Sequence, residues 1–98
     1  EGFNRGFWVK PTILTDMALD SDAWREEIFG PVVSVRPFET EEECLNKAND
    51  SEFGLASYVF TRDLDRAMRI GRRIEAGMIG VNTGLMSTAV APFGGVKA

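Results

Sequence analysis

Two stretches of this chain hold side chains able to grip a ligand. In Arg25-Glu26-Glu27-Ile28-Phe29-Gly30-Pro31-Val32, two carboxylates and an aromatic ring precede a Gly-Pro break and a β-branched run. An acid beside an apolar ring, held just before a strand, can meet a molecule that is polar on one side and flat on the other. The same residues also read as a helix end turning into a strand. The second stretch runs from Asn82 to Gly95 and follows a strand end, where α/β folds place their ligands. Its hydroxyls Thr83, Ser87 and Thr88 can hydrogen-bond an anion without carrying charge. Phe93, between Pro92 and Gly94, is suited to closing a small pocket. An ordinary long connection is the other reading, although ~12 residues without structure exceeds the usual loop length.

Neither stretch contains a reaction centre. Cys44 is the one evident nucleophile, but three acids stand just upstream in Glu41-Glu42-Glu43. They raise a thiol's pKa, whereas a reactive cysteine needs positive surroundings. Cys44 therefore reads as a small residue on a helix face. With no His to activate a serine and a single Cys, a zinc site of nitrogen and sulfur ligands is excluded. No glycine-rich turn between a strand and a helix offers a phosphate cradle. The expected set of catalytic residues within the chain is empty; what it can supply is a wall.

The elements that must hold these walls follow from local pattern. Residues 1–6 read as a loop. Phe7-Trp8-Val9 reads as a short strand that Pro11-Thr12-Ile13-Leu14 resumes. Thr15 to Asp22 reads as a loop or a short turn of helix. Trp24 to Phe29 is predicted as one or two helical turns ended by Gly30 and Pro31. Val32, Val33 and Val35 predict a buried strand. Thr40-Glu41-Glu42-Glu43 is a capping-box signature, and the helix it opens should reach Asn49. Leu55 to Thr61 reads as a strand. Asp63 caps a longer helix with Leu64, Ala67, Met68, Gly71 and Ile74 on its apolar face, an Asp65–Arg69 pair and Gly77 as a left-handed stop. Met78 to Val81 is the next strand. Strand and helix alternate from Val32 to Asn82, the pattern of an α/β fold with a mainly parallel sheet.

The bulk properties set outer limits. A chain of 98 residues is one domain or part of one, and buries only about 60–65% of its unfolded surface. Hydrophobic residues at 44% and charged ones at 27% are ordinary for a soluble globular piece. Fifteen acids against 11 bases give a net charge of −4, which argues against nucleic acid or an anionic membrane surface as partner. No apolar run approaches the ~18 residues that span a bilayer. A lone cysteine makes a reducing compartment, the cytoplasm, the default location. Glu1-Gly2-Phe3 opens without Met and the sequence stops at Lys97-Ala98, which reads as a piece of a longer protein.

Four ordered motifs give that piece a family. Glu26-Glu27-Ile28-Phe29-Gly30-Pro31-Val32, Ala48-Asn49 before Phe53-Gly54-Leu55-Ala56, Glu75-Ala76-Gly77 before Val81-Asn82, and Pro92-Phe93-Gly94-Gly95-Val96-Lys97 resemble aldehyde dehydrogenases in order and spacing. The opening Gly6-Phe7 and Pro11-Thr12 match as well. Val81 to Thr88, running into Ala91 to Lys97, looks most like the succinate-semialdehyde dehydrogenase branch. The resemblance implies that residues 1–98 are the C-terminal portion of a catalytic domain whose dinucleotide-binding domain, cysteine nucleophile and glutamate base lie upstream. It implies NAD or NADP as cofactor, a small-molecule aldehyde as substrate and a homodimer or homotetramer. It gives Glu27 to the nicotinamide ribose, Phe29 to the nicotinamide, Ser87 to the substrate's distal carboxylate and Phe93 to the aldehyde pocket. Glutarate semialdehyde is the alternative substrate. A reading of another class is that the isolated 98-residue chain is a non-catalytic structural piece.

Overall fold

A computed structural model of the chain describes residues 5–97, so the opening of the first predicted loop lies outside the described residues. The chain divides into two compact units, residues 1–37 and 38–98.

In the first unit, β1 (Thr12–Leu14) and β2 (Val32–Ser34) pair in parallel, Thr12 beside Val32 and Leu14 beside Ser34. A parallel pair needs a crossover, and here it contains a single-turn helix, α1 (Asp22–Arg25). Three expectations fail in this unit. Phe7-Trp8-Val9 is not a strand. Its indole Nε1 is turned back to donate to the Arg5 carbonyl (2.7 Å), and the ladder starts only after Pro11. The helix expected over Trp24–Phe29 lies earlier, at Asp22–Arg25, and Glu26 is already extended (φ −103°, ψ 157°). The chain must run extended from there to return alongside β1, so good helix formers at 26 and 27 are overruled. Nor is β2 buried: Val33 is half exposed, because β1 is its one ladder partner among the described residues.

The second unit is a β-α-β unit preceded by a helix. Helix α2 (Glu41–Asn49) starts as expected, with the Thr40 hydroxyl accepting from the Glu43 amide (3.1 Å). The Glu43 carboxylate returns to the Glu39 amide (2.8 Å), one residue before the cap, and also meets Lys47. Strands β3 (Ala56–Val59) and β4 (Met78–Val81) pair in parallel, with Ala56 opposite Met78 and Val59 opposite Val81. Helix α3 (Leu64–Arg73) makes the crossover, capped by Asp63, whose Oδ1 accepts from the Arg66 amide (3.0 Å). Among the described residues, Leu45, Val59 and Ala67 are the buried hydrophobic ones.

Three details of α3 differ from expectation. Leu64 and Met68 are exposed, whereas Ala67 is buried, and Ile70 and Ile74 line a cavity of about 440 Å³ with Leu45, Tyr58 and Val59. Arg69 does not pair with Asp65. Its guanidinium takes both oxygens of Glu41 on α2 (3.0 Å each), and Arg66 adds a third contact at 3.2 Å. A fixed fork on a carboxylate outcompetes an i,i+4 pair that neither partner is preorganised to make. Finally, α3 ends at Ile74 in an extended conformation, and Gly77 is not left-handed.

The Arg69 guanidinium, with Arg66, holds the Glu41 carboxyl below the usual carboxylate range, against a smaller opposing effect of desolvation. A carboxyl whose folded pKa is depressed stabilises the fold above its unfolded value of about 4.3, and this is lost as pH falls through the depressed value. Glu41→Gln protein should therefore lose less stability than wild type between pH 5 and 3. Urea midpoints measured across about pH 3–6 check this, and parallel curves would remove Glu41 from the acid response.

Candidate functional site

In the first unit the site residues lie on the segment from Glu26 to Pro31, which belongs to no helix or strand but is pinned at both ends. At its start the Glu26 amide closes α1 on the Asp22 carbonyl (2.8 Å), and Arg25 Nε holds the Leu19 carbonyl (2.8 Å). At its end the Pro31 carbonyl accepts from the Thr12 amide (2.9 Å), and the Val32 amide turns onto the Gly30 carbonyl (2.8 Å). The Ser34 hydroxyl then ties β2 to α1 through the Ala23 carbonyl (2.9 Å). Between these anchors Phe29 takes a left-handed conformation (φ 50°). For a non-glycine residue that costs about 1–3 kcal/mol and persists only where the surroundings enforce it. The residue is 94% exposed. Glu27 is exposed too, and both line an open cavity of about 420 Å³ with Trp24 and Val33. The acid and the ring thus line one open cavity. The left-handed turn that presents the ring had no signal, since neither Gly nor Asn occupies position 29.

In the second unit the site forms where the chain leaves β4. Asn82, also left-handed (φ 53°), answers both backbone groups of Thr61. Its Oδ1 accepts from the Thr61 amide and its Nδ2 donates to the Thr61 carbonyl, each at 2.9 Å. From there residues 83–97 form no helix or strand, yet the loop is laid against the sheet. Met86 packs on Gly80, where a Cβ would come within 2.8 Å of its Cγ. The Gly94 carbonyl lies against Gly77, where a Cβ would come within 1.9 Å. These two close approaches frame a cavity of about 520 Å³ lined by Ile79, Met86, Thr88, Pro92 and Phe93, among others.

Phe93 lines this cavity. Ser87 does not line this cavity, whereas its neighbour Thr88 does; Ser87 is exposed. Thr88 is one of the three hydroxyls picked out in this loop, whereas Met86 was not anticipated. The available signal was Gly80, since a glycine inside a strand marks the close approach of another group. Glu27 and Phe29 belong to one unit, Ser87 and Phe93 to the other. Cys44 sits half-buried on α2 beside a different cavity, and no cluster of three metal-ligating side chains exists among the described residues.

What these surfaces can do is bind. A carboxylate offers two acceptors to a diol, and a presented ring offers a face to a flat heterocycle. The second cavity is mostly apolar with a hydroxyl at Thr88, which suits a short carbon chain.

The profile of the aldehyde dehydrogenase family matches residues 1–98. The chain is 44% identical over 97 residues to a peroxisomal aminoaldehyde dehydrogenase of Pisum sativum, covering 99% of this chain and 19% of that protein. It is 46% identical over 93 residues to an NADP(+) succinate-semialdehyde dehydrogenase of Escherichia coli, covering 95% and 19%. Among solved structures, an aldehyde dehydrogenase from Bartonella henselae superposes with a TM-score of 0.90 at 43% identity, over 98% of this chain and 20% of that one. The chain thus spans about a fifth of the length of the relatives it matches. The mixed α/β fold with short parallel strands is theirs as well, and the chain belongs to the aldehyde dehydrogenase family.

Proposed function

We propose that the protein carrying this segment is an NAD(P)-dependent aldehyde dehydrogenase that oxidises succinate semialdehyde to succinate. The observation that carries this is the loop after β4, which builds an apolar cavity under Phe93 and Met86 with the Thr88 hydroxyl in its lining and the exposed Ser87 next to it in the chain. Similarity to a succinate-semialdehyde dehydrogenase supports it. When bound, NAD or NADP supplies the hydride acceptor. Glu27 accepts hydrogen bonds from the nicotinamide ribose and Phe29 shields the ring. Phe93 walls the reacting end of the aldehyde, and Ser87 donates to the substrate's distal carboxylate. The cysteine nucleophile and the glutamate base come from parts of the protein outside these 98 residues. Glutarate semialdehyde is the nearest alternative, because one more methylene changes binding by only about 1–3 kcal/mol.

A chain-length series decides between them: kcat/KM should peak at the four-carbon semialdehyde and fall sharply for butyraldehyde. Ser87→Ala should raise KM for the semialdehyde about tenfold, as expected for loss of a ~1.5 kcal/mol hydrogen bond to a charged group, and leave butyraldehyde unaffected. Equal kcat/KM for butyraldehyde and succinate semialdehyde would sink the carboxylate role of Ser87.

A second reading concerns the 98 residues in isolation. Phe53, Leu55, Tyr58 and Phe60, flanking or within β3, are all substantially exposed. Such a surface favours a non-catalytic structural piece that self-associates. Size-exclusion chromatography of the isolated chain tests it, and a clean monomer would count against it.

A further inference from the structure

Lys97 directly follows Val96, the last residue that lines the second cavity. Its ammonium donates to the Asn49 carbonyl (2.7 Å) and the Ser51 carbonyl (2.8 Å), and pairs with Glu75 at 3.2 Å. Only 17% of the side chain is exposed. Asn49 closes α2, so the cation sits on the negative end of that helix, where positive charge is favoured. The stem lies over Gly54, where a Cβ would come within 2.7 Å of Lys97 Cγ. The Gly54 carbonyl in turn accepts from both the Val96 amide (3.1 Å) and the Gly77 amide (2.9 Å). Asn49 completes the dock: its Nδ2 donates to the Arg73 carbonyl and its Oδ1 accepts from the Glu75 amide, at 2.9 Å each. Thus the end of α2, the end of α3, the start of β4 and the end of the loop meet at one point.

From this geometry we propose that Lys97 is a positioning residue for the aldehyde pocket, fixing the segment that carries Phe93 by anchoring it to the carbonyls at the end of α2. The proposal rests on the reading of Phe93 as a wall of that pocket. Phe93 stands four residues before the anchor, and the intervening Gly94 and Gly95 resist nothing by themselves. Without the ammonium, the loop's far end keeps the Val96 amide bond but loses its strongest attachment. Arginine keeps the charge yet cannot place one compact donor on two carbonyls, so it restores the function only in part.

The test uses the full-length enzyme with Lys97→Met, Lys97→Arg and Phe93→Ala, alone and combined. Lys97→Met should raise KM for the preferred aldehyde about tenfold, for loss of a charge-assisted anchor, while cofactor Kd shifts less than about twofold. Amide exchange across residues 86–95 should quicken, and Lys97→Arg should recover part of both effects. In the Phe93→Ala background, Lys97→Met should have no further effect on KM. Unchanged exchange at 86–95, or a full additional rise in KM on Phe93→Ala, overturns the positioning role. If exchange quickens while Phe93→Ala itself is kinetically silent, the pocket reading of Phe93 fails instead, and the substrate role of Lys97 falls with it. Should Lys97→Met not fold, Lys97→Arg reads the same coupling.

Discussion

Gly77→Ala should be the most damaging single-methyl change in the second unit, costing about 1–3 kcal/mol or more as an overpacking substitution. The added Cβ would lie 1.9 Å from the Gly94 carbonyl oxygen and 2.8 Å from Gly95 Cα. These are backbone atoms, so no rotamer change relieves the clash. Either β4 shifts away from β3 at Met78, or the Pro92–Val96 segment lifts and takes Phe93 with it. Both should lower the urea midpoint, and the second should also raise KM for the aldehyde. Gly71→Ala is the matched control. Position 71 lies within α3, and a Cβ there meets nothing within 4 Å. That substitution should stabilise by about 0.5–1 kcal/mol through helix propensity alone. Opposite signs for two Gly→Ala changes six residues apart would locate the requirement in space rather than in backbone freedom. A wild-type midpoint for Gly77→Ala would sink the account of this dock.

Gly77 also shows where sequence reading stops. A glycine just past a helix predicts a left-handed stop, and the sequence says nothing of a loop arriving from seventeen residues downstream. Where the determinants are local, the outcome was legible. Thr40 and Asp63 cap the helices they precede, Asn49 ends α2, and Met78 to Val81 forms β4. Where several local choices compete, partners distant in sequence decided. Arg69 chose Glu41 over Asp65 because α2 and α3 lie side by side. The register of α3 on the sheet chose Ala67, Ile70 and Ile74 over the equally periodic Leu64 and Met68.

The same division runs through the candidate site. The acid and ring at 27 and 29, and the aromatic at 93, could be picked out because their residue types are unusual in their settings. Met86 could not, since a methionine in a loop carries no chemical signature. Lys97 and Asn49 were visible as motif residues but not as structure. Their hydrogen bonds join positions 48 and 24 residues apart, and only folding reveals them. Two of the four family motifs thus turn out to be architecture that holds the residues of a third.

Glu27→Gln is expected to lower kcat of the full-length enzyme by one to two orders of magnitude, while cofactor Kd rises no more than about threefold. Glutamine has nearly the same shape, so the pinned segment from Glu26 to Pro31 should keep its course. What changes is the hydrogen bonding. A carboxylate offers two anionic acceptors to a ribose diol, and the amide offers one neutral acceptor and a donor. Most of a dinucleotide's binding surface lies away from one ribose, so Kd barely registers the loss. The orientation of the nicotinamide does register it, because a misplacement of about 1 Å at the reacting atoms costs ~100-fold in rate. Phe29 makes the prediction sharper. Its left-handed backbone and exposed ring mean that the protein spends stability to present a flat surface there. On the proposed reading, a ring held that way constrains the heterocycle's face but not its rotation within the plane, and Glu27 restricts that remaining freedom. Glu27→Gln and Phe29→Ala should therefore be non-additive in kcat when combined, since each removes part of one orienting constraint. Stopped-flow measurement of the hydride-transfer step in the two single variants and the double variant reads this directly. An unchanged kcat in Glu27→Gln takes the carboxylate out of the site.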